Sequence, residues 1–147
     1  MSEFRGEFMK WSIFFLLFLL ISCGDGNTVV KNRPATIQVN SFDLNFGAIL
    51  LLQKNTQKIS ISNVGDATLS LTNVTISPAN GPFALEGSLP KTIESGQQQF
   101  LEVSFTAKTI GKIKGTLIIV SNDPNRNVVQ INLTGEGKEE DIDDEDG

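Results

Sequence analysis

The chain has 147 residues, of which 39% are hydrophobic and 20% charged, so its length allows one ordinary domain plus short extra segments and excludes two packed domains. It contains no His and no Tyr, which removes the usual general base near neutral pH, the commonest metal ligand and every phenol. We therefore predict that the protein is not an enzyme and holds neither a metal nor another cofactor.

The net charge of −5 is concentrated in one part of the chain. Residues 35–137 carry seven basic and seven acidic side chains, whereas residues 138–147 carry seven acids against Lys138. A neutral body lacks the clustered Lys and Arg that displace counterions from nucleic acid, so no nucleic-acid partner is expected. The acidic run predicts a disordered tail that either solubilises the protein, docks to a basic partner or loosely holds divalent cations.

The first apolar run, Ile13 to Ile21, has nine residues, well below the roughly 18 to 20 that a membrane-spanning helix needs. Its length is typical of the core of a signal peptide. The run ends with Leu20 and Ile21 and is followed by Ser22 and Cys23, which is the single Cys of the chain. This pattern resembles the lipobox of bacterial lipoproteins. The resemblance implies that a diacylglycerol, carrying acyl chains such as palmitate, is attached to Cys23, and that cleavage makes Cys23 the new N-terminus.

This interpretation divides the N-terminal part into a lipoprotein signal peptide over residues 1–22 and a lipidated Cys with a polar tether over 23–34. It predicts a membrane-anchored lipoprotein of the bacterial cell envelope that faces the periplasm or the cell exterior. A free thiol behind an ordinary secretory signal and an uncleaved anchor are the alternatives. The choice between inner and outer membrane, and between Met1 and Met9 as the translation start, stays open.

From residue 35 to residue 137 the apolar residues recur with a period of two, as in Lys58 to Ser62, Leu101 to Phe105 and Val129 to Leu133. Turn-forming residues separate these runs. The pattern predicts about seven strands. They cover residues near 35–49 (one strand or two), 57–63, 68–77, 83–86, 98–106, 111–121 and 127–134.

Seven short antiparallel strands in about 100 residues favour an all-β, Ig-like sandwich over residues 35–137, preceded by a signal-peptide helix and followed by the acidic tail. With no disulfide available, the core must consist of aliphatic residues and Phe. The residues predicted to face inward are Phe46, Ile59, Ile61, Leu69, Leu71, Phe83, Leu85, Leu101, Val103, Phe105, Leu117, Ile119, Ile131 and Leu133.

Several short motifs occur in a fixed order along this region. They are Leu44-Asn45-Phe46-Gly47, Ile59 to Gly65, Pro82-Phe83, Leu89-Pro90, Ile93, Gly96, Val103-Ser104-Phe105, Gly111, Gly115 to Ile119, Ser121-Asn122-Asp123-Pro124 and Leu133 to Gly137. Together they resemble the choice-of-anchor D domain of bacterial surface proteins and the related Ig-like domain of hydin and abnormal-spindle proteins. The resemblance implies a display or interaction module without catalysis.

Polar and glycine motifs have structural explanations. Asn63 and Asp123 can accept hydrogen bonds from backbone N–H groups two residues on. Gly47, Gly111 and Gly115 are expected at bulges or close approaches, because no helix follows that would make them a phosphate cradle. A ligand site or calcium site in the loop of Asp123 is less favoured, since one carboxylate is too few for a hard cation.

Two function hypotheses follow. The first is a lipid-anchored binding or scaffolding module with a protein partner of unknown identity, and the alternative is a periplasmic chaperone-like assembly factor that uses an exposed sheet edge. Alternation turns Ile118, Val120 and Val128 outward, with Lys112 and Lys114 on the same face. These three apolar residues are the predicted partner patch, unless they are ordinary surface or are covered by the N-terminal segment.

Overall fold

The computed structural model describes residues 32–140, in which all regular structure is β-strand. The strands are β1 (Ile37–Val39), β2 (Asp43–Leu50), β3 (Lys54–Asn63), β4 (Leu69–Ser77), β5 (Phe83–Glu86), β6 (Thr92–Ile93), β7 (Gln98–Thr106), β8 (Gly111–Ser121) and β9 (Val128–Lys138). Within this range no helix is long and apolar enough to cross a membrane. The predicted signal peptide, the lipobox with Cys23, and residues 141–147 of the predicted tail lie outside the described residues.

The strands form two sheets that pack face to face. The four-stranded sheet has the order β1-β3-β7-β5, and the five-stranded sheet has the order β2-β9-β8-β4-β6. The hydrophobic core lies between them and receives side chains from both. The predicted all-β, Ig-like sandwich is confirmed.

The strand prediction was wrong in two respects. Residues 35–49 form two strands, β1 and β2, which was one of the two predicted possibilities, but the two-residue strand β6 was not predicted. In addition, β2 runs parallel to β9. Alternation along one strand shows which residues are buried, but it carries no information about the partner strand or its direction.

Alternation did identify the core. Of the residues predicted to face inward, all but Leu85 are buried. Leu85 is half-buried because β5 is a four-residue strand at the edge of its sheet. Ile59, Ile131 and the other central residues lose all or nearly all solvent contact, which is the dominant favourable contribution to folding in a chain without a disulfide.

Three phenylalanines join the two sheets at the centre of this core. The ring of Phe105 lies 4.9 Å from that of Phe83 and 5.8 Å from that of Phe46, measured between centroids. Gly135 and Gly115 face these rings, and a Cβ on Gly115 would lie 2.8 Å from Phe83. The predicted close approach at Gly115 is therefore confirmed, because any side chain there would displace an aromatic ring.

Candidate functional site

One end of the sandwich, where the chain enters β1, is held together by a buried asparagine. Asn63 accepts hydrogen bonds from the backbone N–H groups of Gly65, at 3.0 Å, and Thr36, at 3.3 Å. Its amide nitrogen donates to the carbonyl oxygens of Ala67, at 2.8 Å, and Ile93, at 3.0 Å. The bond to Gly65 confirms the predicted turn, and the other three show that Asn63 joins three separate segments.

A buried aspartate has a similar role beside it. Asp123 accepts hydrogen bonds from the backbone N–H groups of Ile37 at 2.9 Å, Asn125 at 2.8 Å and Arg126 at 3.1 Å. Burial raises the pKa of this carboxyl group, but the three backbone donors and the charge of Arg126 outweigh it and hold the pKa below its usual range. Asp123 is therefore ionised at neutral pH and fixes the edge of β1 in place.

The chain that precedes β1 docks onto this same end. Arg33, in the predicted tether, donates its backbone N–H to Asp66 at 2.8 Å and forms an exposed ion pair with the same carboxylate at 3.2 Å. The carbonyl oxygen of Pro34 lies so close to Gly65 that a Cβ there would collide with it. We call this region, formed by residues 33–36, 63–67 and 121–127, the tether end.

Carboxylates elsewhere are also held by neighbouring side chains. Glu86 accepts a hydrogen bond from Lys54 at 2.7 Å and from Ser104 at 2.6 Å. These two bonds, that of Lys54 first, lower the pKa of Glu86 below its usual range. The group is therefore not poised to act as a general acid near neutral pH. Within residues 32–140 no cluster of three or more acidic or thiol side chains could hold a metal ion.

Ser88 and Lys91 have the Ser-x-x-Lys spacing of some nucleophilic serines. Both side chains are exposed, in the connection between β5 and β6. A lysine activates a serine when desolvation lowers its pKa, and an exposed position does not provide that environment. This spacing therefore gives no support to an active site.

The predicted partner patch lies on the outer face of the five-stranded sheet. Val120 and Val128 are register partners, as predicted, and Ile118 lies two residues before Val120 on β8. Val128 is 44% exposed, whereas Ile118 and Val120 are less exposed. The patch is thus a small apolar area on a largely polar face.

The sheet edges bear on the chaperone-like alternative. On β2, the carbonyl oxygen of Asn45 accepts a hydrogen bond from the side chain of Gln57 at 2.7 Å, and that of Phe46 accepts one from Asn55 at 3.0 Å. The edge of β1 is bound by Asp123, as described above. The remaining edge strands, β5 and β6, have four and two residues. Strand β6 pairs with β4 only at Leu69 and Ser70, so residues 72–77 of β4 have no strand partner on that side within the described part of the chain. The edges of β1, β2, β5 and β6 thus offer little room for an added strand, and this stretch of β4 is the more open one.

A second apolar surface, which the sequence analysis missed, lies at the other end of the sandwich. Leu52 is 79% exposed, Ile110 is 60% exposed and Leu50 is 40% exposed. Their turns are joined, because the N–H of Leu52 donates to the carbonyl oxygen of Ala107 at 2.8 Å. We call Leu50, Leu52 and Ile110 the aliphatic tip.

A signal for this surface is present in the sequence. Residues 49–52 are four consecutive aliphatic residues, where alternation stops at the end of a strand. Such a run normally predicts burial, so its exposure becomes visible only in the structure. Beside the tip, a shallow depression of about 200 Å³ is lined by Pro82, Thr109 and Ile113, among others.

Comparisons with known proteins agree with this architecture. A protein of unknown function from Porphyromonas gingivalis W83 matches with a TM-score of 0.62 and 22% identity, over 71% of this chain and 48% of that protein. The VesB protease of Vibrio cholerae matches with a TM-score of 0.54 and 18% identity, over 69% of this chain and 31% of the protease. The periplasmic chaperone SfaE matches with a TM-score of 0.53 and 14% identity, over 70% of this chain and 58% of the chaperone.

The chain thus spans about half of the Porphyromonas protein and under a third of the protease. At these identities the likenesses show a shared fold and carry no information on activity. A search of curated proteins finds no match. The family model described as HYDIN/CFA65/VesB-like, Ig-like domain matches residues 35–136, which confirms the predicted resemblance to the hydin domain. The chain therefore belongs to the HYDIN/CFA65/VesB-like family of Ig-like domains.

Proposed function

We propose that the protein is a lipid-anchored protein of the bacterial cell envelope whose Ig-like domain is a non-catalytic binding or scaffolding module. The observation that carries the proposal is that the polar motifs are buried and hydrogen-bonded within the fold, while large apolar side chains are exposed. The buried polar groups Asn63 and Asp123 are fully engaged in holding the scaffold, while large aliphatic side chains such as Leu52 are left on the surface. Exposed apolar surface of this kind is typical of interaction sites.

The anchor rests on the lipobox sequence that ends at Cys23. Ten residues separate Cys23 from Pro34, which docks on the tether end. As a flexible coil, ten residues extend about 16 to 19 Å. A lipid on Cys23 would therefore keep the tether end close to the bilayer.

The anchor is tested by the substitution Cys23→Ser in the source bacterium or a related host. We expect the variant either to accumulate as an uncleaved precursor or to appear in the soluble fraction, because the serine cannot take the diacylglycerol. Asn27→Ser, in the same polar segment, is the matched control and should fractionate with the wild type. A Cys23→Ser protein that is still processed and firmly membrane-bound would contradict the proposal.

The predicted partner patch gives a first test of binding. If the partner binds at this patch, the double change Ile118→Ser and Val120→Ser abolishes its capture from detergent-solubilised envelope, with a fall in melting temperature of no more than a few degrees. Phe100→Ser is the control, because Phe100 is 52% exposed on the outer face of the other sheet. Retention of the partner by the double variant would exclude the patch as its binding site and leave the binding module in place.

The chaperone-like alternative requires a free sheet edge. The occupied backbone groups of β1 and β2 weigh against it, since an incoming strand would first have to displace side chains of Gln57, Asn55 or Asp123. The binding module needs no such rearrangement.

A further inference from the structure

The aliphatic tip is an exposed apolar surface built on tight turns. Leu50 and Gln53 close a β-turn, in which the N–H of Gln53 donates to the carbonyl oxygen of Leu50 at 3.1 Å. The N–H of Leu51 donates to the carbonyl oxygen of Lys138 at 2.9 Å, which fixes the turn to the end of β9. Backbone hydrogen bonds therefore fix the tip to the end of the sheet.

The backbone conformation of Leu52 is unfavourable for a leucine. Leu52 has a φ of 65°, while the backbone of Leu51 does not enter the left-handed region, so Leu52 is the third residue of a turn of type II geometry. That position favours Gly or Asn, and a leucine there is strained. An exposed leucine in a strained conformation contributes little to the core, which is the pattern of stored strain found at functional sites.

The tip lies opposite the tether end. Strand β8 starts at Gly111, next to Ile110, and ends at Ser121, where the loop of Asp123 begins. Eleven residues of extended strand separate these ends by about 35 Å. Under the proposed anchor the tip therefore points away from the protein's own bilayer.

Acidic sequence begins beside the tip. Lys138, the last residue of β9, is bonded to Leu51, and residues 139–146 contain seven acids. Residues 139–146 can extend at most about 28 Å from Lys138, which is less than the roughly 35 Å between the two ends of the domain. The seven acids outnumber the basic residues on and beside the tip, which are Lys54, Lys108, Lys112 and Lys138.

We propose that the aliphatic tip is the docking site for a partner protein that has an apolar hollow bordered by Lys and Arg. This proposal rests on the proposed function and names the surface and the chemistry of the partner. Apolar contact with Leu52 and Ile110 would provide affinity, and the acidic residues after Lys138 would steer a basic rim toward it. An anionic bilayer and a second copy of this chain are both disfavoured, because each would bring like charges together.

The test uses the protein that begins at residue 24, immobilised through its N-terminal segment and exposed to detergent-solubilised envelope of the source bacterium. Three variants are compared with the wild type. They are the tip variant (Leu52→Asn with Ile110→Ser), the control variant Phe100→Ser, and a tail variant in which the seven acids become Asn or Gln. Vesicles of phosphatidylcholine alone, and with phosphatidylglycerol, are tested in parallel.

We expect a captured protein that the tip variant loses by at least about tenfold and that Phe100→Ser retains. The tail variant should bind this protein more weakly and with less dependence on salt. The captured protein should itself have a basic surface. Unchanged melting temperatures would show that the variants are folded and that they lose binding because contacts with the partner are removed.

Other outcomes would overturn the proposal. A partner that the tip variant retains, but that the Ile118 and Val120 double variant loses, would exclude the tip and support the proposed function. Binding to vesicles that is lost in the tip variant would show that the tip binds a lipid surface and not a protein. Stronger capture by the tail variant would show that the acidic residues cover the tip. Capture of no protein by any form would contradict both this proposal and the proposed function.

Discussion

The two ends of the sandwich use polar and apolar residues in opposite ways. At the tether end, Asn63 and Asp123 are buried, and backbone hydrogen bonds satisfy them. At the aliphatic tip, Leu52 and Ile110 are 79% and 60% exposed on strained or tight turns, compared with 42% for Val64 at the tether end. A buried polar residue is explained by its bonds within the fold, whereas a cluster of exposed large apolar residues needs an explanation outside it. The comparison suggests that the conspicuous polar motifs stabilise the domain and that the inconspicuous leucines carry its interaction.

The largest loss of stability is expected in the core between the two ends. Phe105→Ala should lower the free energy of unfolding by about 3 to 5 kcal/mol, because Phe105 is fully buried against Phe83 and Phe46. Phe100→Ala, which removes the same ring from a half-exposed position of the same strand, should lower it by only about 1 kcal/mol. Chemical denaturation of both variants measures the difference, and a larger effect of Phe100→Ala would mean that β7 has the opposite register.

The tether end should be the next most sensitive region. Asn63→Ala removes four hydrogen bonds and leaves buried backbone groups of Gly65 and Ile93 without a partner, so we expect a loss of about 2 to 4 kcal/mol. Asn73→Ala, at an exposed position of β4, is the matched control, with an effect below about 0.5 kcal/mol. If the two changes were equally mild, the tether end would not be held by Asn63.

The sequence predicted what depends on local pattern. Alternation alone placed Ile59, Ile61, Leu117 and Ile119 in the core, because every second residue of a strand faces the same side. It also predicted the short-range bond from Gly65 to Asn63. These features require no knowledge of which segments meet in the folded chain.

Long-range partners could not be predicted in this way. The bond from Ile37 to Asp123 joins residues 86 positions apart, and nothing near Asp123 specifies it. The parallel pairing of β2 with β9 could not be predicted either, because several strands have the same alternating pattern. The exposure of Leu52 contradicts the ordinary expectation for leucine and depends on how the turn is held.

Substitution of Asp123 isolates the contribution of the tether end to the pH dependence of stability, because the lowered pKa of Glu86 affects wild type and variant alike. Because the pKa of Asp123 is lower in the folded state than its unfolded value of about 3.9, its ionised form stabilises the fold above that pH. This contribution is lost as the pH falls through the folded-state pKa. Asp123→Asn should therefore lower the free energy of unfolding by about 1 to 3 kcal/mol at pH 7.

The difference between wild type and Asp123→Asn should then shrink as the pH falls below about 4, and denaturation at a series of pH values measures it. A difference that stayed constant down to pH 2 would show that the charge of Asp123 does not contribute. In that case the lost hydrogen-bond geometry alone would explain the effect of the substitution.

The smallest expected effect concerns the tip, and its sign is the informative part. Leu52→Gly removes an exposed side chain from a left-handed position, which should stabilise the turn by about 1 kcal/mol, while the added freedom of the unfolded chain offsets much of that gain. We expect a net change between zero and about 0.5 kcal/mol in favour of folding. Leu51→Gly, one residue earlier, is the matched control, because Leu51 is not left-handed and packs against the core. It should destabilise the protein by about 1 to 3 kcal/mol. A large loss of stability in Leu52→Gly would mean that this leucine serves the fold after all, and the contrast between the two ends would then disappear.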